Sequence, residues 1–266
     1  MLQEAFDFRD ESGALFAIMK DLPDAAFAVP TQFKGWTLTD VLQHLHVWNV
    51  AAYESYADEA KFDAFLKAAI GAVSSGSLRP FERDWLDNLS GRALLTAWHD
   101  FYVSMADAFS QVDPKKRLKW AGPDMSARSS ISARLMETWA HGQEIFDHLG
   151  VVRTNRDTIR SIAVLGVNTF NWTYKVRGET PPETVPYVKL TSPSGADWVF
   201  GDDNTGESIE GAAEDFCMVV TQVRNIADVD LTLTGAVAQD WMSKAQCFAG
   251  PPETPPAPGT RFTIKR

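Results

Sequence analysis

Glu137 and His141 stand four residues apart in an uninterrupted helical run from Ile131 to Leu149 that Gly150 ends. Side chains at this spacing leave the same face of an α-helix one turn apart, so a carboxylate and an imidazole present two ligands to one divalent cation. A third donor is available in His44, which lies in the apolar stripe of Val41, Leu45 and Trp48 on another predicted helix. A histidine in such a stripe needs a partner to offset its burial. Spacing alone leaves the bland readings open: such a Glu/His pair also occurs as a simple helix-surface contact, and a lone core histidine can be satisfied by one hydrogen bond. Arg134, Glu144 and His148 extend the polar stripe of the same helix, which in the bland reading faces solvent. The pair Glu144 and His148 ranks below Glu137 and His141, because a histidine in a last turn is explained by the helix dipole. His46 is expected on the face opposite His44, in solvent, and His99 beside Trp98 has no obvious acidic partner.

Four long helices must position these residues. The first carries Ala14, Leu15, Ile18 and Leu22 and ends near Pro23. Thr37 opens the second as N-cap with Asp40 three residues on, a capping-box variant, and Val41, His44, Leu45 and Trp48 follow on one face. Glu59 to Val73 reads as a shorter helix and Ser74 to Pro80 as a linker. Ser90 starts an aromatic-rich helix through Leu94, Trp98, Phe101, Met105 and Phe109 that Asp113 and Pro114 stop. The last begins at Ser129 or Ser130. Long helices with short connections predict a bundle over residues 1–150.

Beyond it the pattern changes. One more helix spans Asn155 to about Lys175, and two strands, Tyr187 to Thr191 and Asp197 to Phe200, flank the turn residues Ser192, Pro193, Ser194 and Gly195. A helix over Ala212 to Val223, a strand over Asp230 to Thr234 and a helix over Ala236 to Phe248 complete a small α+β domain across residues 151–266. Its tail, with Pro251, Pro252, Pro255, Pro256 and Pro258, reads as a solvated extension. The fold class is α+β.

Composition bounds the function. At 266 residues and 45% hydrophobic content the chain can bury real cores. A net charge of −10 and a pI near 5.0 repel phosphate backbones and anionic membranes at long range, which leaves small molecules as the expected partners. Only Cys217 and Cys247 occur, so no disulfide framework is required, and the acidic N-terminus resembles no secretory signal. With no apolar run of membrane-spanning length, the expected location is the cytoplasm.

The segment from Gly35 through Trp36, Thr37, Leu38, Thr39, Asp40, Val41, Leu42 and Gln43 to His44 and Leu45, with Glu137, Thr138, Trp139, Ala140, His141, Gly142 and Gln143, carries a resemblance. It resembles the metal-binding bundle of the mycothiol-dependent maleylpyruvate isomerase family, within the DinB-like superfamily. The resemblance covers about residues 1–150; Leu190, Pro193, Gly195, Trp198 and the stretch from Trp241 to Pro252 are similar to an α+β domain appended in one branch of these proteins. It implies a DinB-like four-helix bundle and a divalent metal, usually zinc, held by His44, Glu137 and His141 with one position open. A low-molecular-weight thiol bound there is acidified and attacks an electrophilic carbon, giving isomerisation or thiol transfer. Arg134 would orient the ligand glutamate, grip a substrate carboxylate, or form only a surface salt bridge.

Two other readings follow from the residues. The same metal can activate water for hydrolysis with Glu144 as proton shuttle, whereas no glycine-flanked serine supports a metal-free hydrolase. Alternatively, nine Trp and sixteen Phe could enclose an apolar ligand in a non-enzymatic binding protein. The second domain also has some similarity to wyosine-base-formation segments of tRNA-modifying proteins, against which the net charge of −10 argues.

Overall fold

A computed structural model describes residues 1–76, 78–203 and 206–265. Ser77, inside the expected linker, lies outside the described residues. The chain divides into two units, Met1–Phe146 and Asp147–Arg266.

In the first unit, α1 (Gln3–Met19) packs along α5 (Gly91–Ser110), and α2 (Leu38–Ala57) packs against α5, α3 (Glu59–Ser74) and α4 (Leu78–Trp85). The Thr37 hydroxyl accepts from the Asp40 amide at 3.1 Å, and the Asp40 carboxylate accepts from the Thr37 amide at 2.8 Å. This capping box satisfies orphan donors at both positions and fixes where α2 begins. A short antiparallel pair, β1 (Arg117–Leu118) and β2 (Met125–Ser126), leads into α6 (Ala127–Leu149).

The expected linker is corrected, because α4 occupies its second half. Pro80 misled the sequence reading: it lies in the first turn of α4, where a missing N–H costs nothing. Phe81 and Trp85 of this short helix pack on Phe65, joining a core of Val47, Ala51, Phe62, Phe65 and Ala69. His46 is also corrected: it is buried, with the Phe101 ring 5.4 Å away. With neighbours on several sides, α2 has little solvent face.

In the second unit the expected single helix breaks into a 3-10 turn (Asp157–Ile159), α7 (Arg160–Asn168) and α8 (Phe170–Lys175). Thr169 marks the break, its hydroxyl donating to the carbonyls of Leu165 at 2.8 Å and Gly166 at 3.0 Å and so competing with the backbone ladder. A four-stranded sheet runs in the order β4-β3-β5-β6, with β3 (Tyr187–Thr191), β4 (Asp197–Phe200), β5 (Ser208–Ala212) and β6 (Leu231–Thr234). The hairpin pairs Thr191 with Asp197, β5 is parallel to β3, and β6 is antiparallel to β5. Strand β5 is absent from the expected elements: of Ser208, Ile209, Glu210, Gly211 and Ala212 only Ile209 is buried, and Gly211 weakens the strand signal.

Two helices complete the unit, α9 (Ala213–Val220) and α10 (Ala236–Lys244). A Cβ on Gly166 of α7 would lie 2.9 Å from a Val220 methyl and 3.0 Å from the Phe216 ring, so α7 and α9 approach as closely as they do only over glycine.

The proline-rich tail is exposed at Pro251, Pro252 and Pro258, as expected of a solvated segment, but it does not extend free of the unit. Arg177 and Gln222 donate to the Glu253 carbonyl at 2.6 and 3.2 Å, and Asn225 donates to the Pro256 carbonyl at 2.8 Å. The Gly259 amide donates to Asp228 at 2.8 Å, and Thr263 and the Ile264 amide donate to Asp147 at 2.8 and 2.9 Å. Prolines offer no N–H of their own for a ladder, so side chains of the unit hold their neighbours' carbonyls instead. Among the described residues no helix is long and apolar enough to cross a membrane.

Candidate metal centre

His44 comes from α2, and α6 contributes Glu137 and His141 from successive turns. Glu137 Oε2 lies 3.5 Å from His44 Nε2 and 3.4 Å from His141 Nε2. One ligand atom from each of the three residues falls within 4.8 Å of the others. Donors about 2.0–2.1 Å from a tetrahedral zinc stand roughly 3.3–3.4 Å apart, so the two measured separations fit a cation shared among them. The side chains are 14%, 20% and 15% exposed, which leaves the cluster reachable from solvent.

A residue that sequence reasoning missed grips the far side of His44. Glu82, fully buried on α4, takes a hydrogen bond from His44 Nδ1 at 2.6 Å and another from Trp48 Nε1 at 2.9 Å. Arg79 donates to the other oxygen of Glu82, and its second terminal nitrogen donates to Asp40 Oδ1 at 2.6 Å. The only sequence signal was an arginine and a glutamate three apart, a spacing that pairs only if the stretch is helical.

The loop before α2 forms the wall. The Thr31 amide donates to the Trp36 carbonyl at 2.8 Å, while Lys34 and Gly35 turn the chain with φ of 50° and 71°. The turn lays Trp36 parallel to His141, with centroids 5.8 Å apart and 6° between planes, and sets Phe33 edge-on to the same imidazole at 5.1 Å. The Arg79 guanidinium sits 4.4 Å over the Trp36 ring.

The charges respond to this packing. Burial works against the His44 cation, yet the carboxylates of Glu82 and Glu137 raise its pKa to about 9. Burial pushes the His141 pKa down, assisted by the nearby charges of His44 and Arg134 against the pull of Glu137. Burial alone would raise Glu137, but hydrogen bonds from both histidines and the Arg134 charge hold it well below the carboxylate range. An ionised carboxylate and a neutral imidazole are the forms in which these groups bind metal.

Arg134 is 2% exposed and donates from Nε to Asn49 Oδ1 at 2.9 Å, so the surface salt bridge is corrected to a buried arginine one turn before Glu137. Thr138 and Glu144 are buried too, and the solvated-face reading of α6 therefore fails. His99 pairs at the surface with Asp100 at 2.9 Å, a partner the sequence reading passed over.

The helical bundle is also the fold that comparison with known proteins finds. Structures of the mycothiol-dependent maleylpyruvate isomerase and of a histidine-to-alanine variant of it superpose with TM-scores of 0.53 and 0.51 at 17% and 15% identity. Each superposition covers 82% of this chain and 87% of the other, and it shows a shared fold. Residues 8–146 match the family described as mycothiol maleylpyruvate isomerase N-terminal domain, and the chain belongs to that family. Two uncharacterized Mycobacterium tuberculosis proteins, MT0041 and Rv0036c, are each 39% identical over 246 residues, covering 92% of this chain and 95% of their own.

Proposed function

We propose that the chain binds one divalent cation, zinc by its donor set, through His44, Glu137 and His141, and acts in the cytoplasm as a thiol-dependent isomerase or transferase on a small electrophile. The observation that carries this reading is the convergence of two imidazole nitrogens on one carboxylate oxygen at 3.4 and 3.5 Å. A cation held by three protein ligands supplies Lewis acidity that lowers the pKa of a thiol reaching its free position. The mycothiol dependence of the solved relative supports a low-molecular-weight thiol as the second reactant.

The chain's own residues do the rest. Glu137 offers a full negative charge, and His141 offers a neutral ring braced between Trp36 and Phe33. These rings wall one side of the centre against water, which strengthens electrostatic interactions inside it. Arg134 acts from below, its charge keeping Glu137 ionised, rather than as a surface group.

Metal content per chain, measured by inductively coupled plasma mass spectrometry, tests the assignment. About one zinc per wild-type chain is expected, with none in His44→Ala or Glu137→Ala and far-UV circular dichroism unchanged, since the apolar core does not depend on the metal. Zinc retained in both variants sinks the site. Thiol-dependent turnover by wild type alone, after zinc loading, tests the chemistry.

A further inference from the structure

We infer that Glu82, delivered by α4, is a positioning residue that fixes which nitrogen of His44 faces the metal; this rests on the metal reading above. A neutral imidazole has one N–H and one lone pair, and an ionised carboxylate only accepts. With Glu82 Oε1 at 2.6 Å from Nδ1, the proton that the neutral ring keeps belongs on Nδ1, so the one a metal displaces is that on Nε2, whose lone pair is then directed into the space it shares with Glu137 Oε2. The carboxylate is itself immobilised: Trp48 holds the same oxygen, Arg79 holds the other, and Arg79 is pinned by Asp40, whose side chain also caps α2. A fully buried carboxylate with these donors is costly to assemble merely as an ion pair. Its geometry instead matches the carboxylate–histidine–metal arrangement in which an outer group orients a ligand and raises its basicity.

Arg79 links this device to the second histidine. Its guanidinium lies over Trp36, and Trp36 lies flat against His141, so one short helix braces His44 directly and His141 through an intervening ring.

Two substitutions separate position from charge. Glu82→Gln keeps the shape, but its amide can donate to Nδ1 and so favours the tautomer with the proton on Nε2, where it blocks the metal. Glu82→Asp keeps the charge and draws the carboxylate back from the ring. Zinc affinity is measured by chelator competition, and the visible spectrum of the cobalt-substituted protein reports the geometry, with circular dichroism confirming that both variants fold. The expected result is a loss of about 10–100-fold in zinc affinity for Glu82→Gln, a smaller loss for Glu82→Asp, and altered cobalt bands in both. Wild-type affinity and spectrum in Glu82→Gln would overturn the inference while leaving the metal site standing. So would wild-type affinity in Glu82→Asp beside a weakened Glu82→Gln, since charge alone would then account for the effect. A wild-type chain that takes up no zinc would overturn the metal reading, and the role of Glu82 with it.

Discussion

His44 is held at both ring nitrogens by carboxylates, Glu82 at 2.6 Å and Glu137 at 3.5 Å, and its charge state follows from that. With a pKa near 9, above the ordinary histidine value of 6.5, the metal-free ring is a cation at neutral pH. A raised pKa adds stability to the metal-free fold that is fully present below pH 6.5 and is lost as pH rises through 9. A cation must displace that proton, so apparent zinc affinity should rise about tenfold per pH unit towards pH 9 and then level off. Binding at pH 7 should release about one proton, measurable by titration calorimetry in buffers of different ionisation enthalpy. Heat independent of buffer would show that His44 is already neutral.

Among the elements, α2 bears the most constraints, and its N-cap and its buried middle are both informative. Replacing Thr37 by Ala removes the capping box, so stability should fall by about 1 kcal/mol in urea denaturation, with the m-value unchanged. His46, buried without a partner for Nδ1 among the described residues, has a pKa lowered to about 4 by burial. Its depressed pKa implies stability present above pH 6.5 and lost as pH falls towards 4, up to on the order of 3 kcal/mol. His46→Leu should flatten that part of the stability profile; an unchanged acid limb would assign it to other groups. Helix existence and the Thr37 start were legible because periodicity and caps are local signals. The helix α4 was not, because its eight residues hold a proline and take their apolar partners from α3.

Across the whole molecule, the tail shows what composition cannot say. Five prolines within eight residues read as solvated chain, yet side chains from several elements of the second unit hold it at Glu253, Pro256, Gly259 and Thr263, and the Asp147 carbonyl holds it at Ile264. Deleting residues 251–266 should therefore lower the thermal midpoint by at least about 5 °C, each lost bond contributing roughly 1 kcal/mol; an unchanged midpoint in a circular dichroism melt would make the tail a passive appendage. The sequence by itself determined that His44 belongs to an apolar helical stripe and that Glu137 and His141 share one face, because a residue's angular position on a helix depends only on spacing within that helix. Only the tertiary structure decided that Glu82, 38 residues from His44, closes on its ring, that Arg79 spans Asp40 and Trp36, and that His46 and Arg134 are buried. Those facts depend on which helix faces pack together, and the short-range pattern of either partner does not contain that choice.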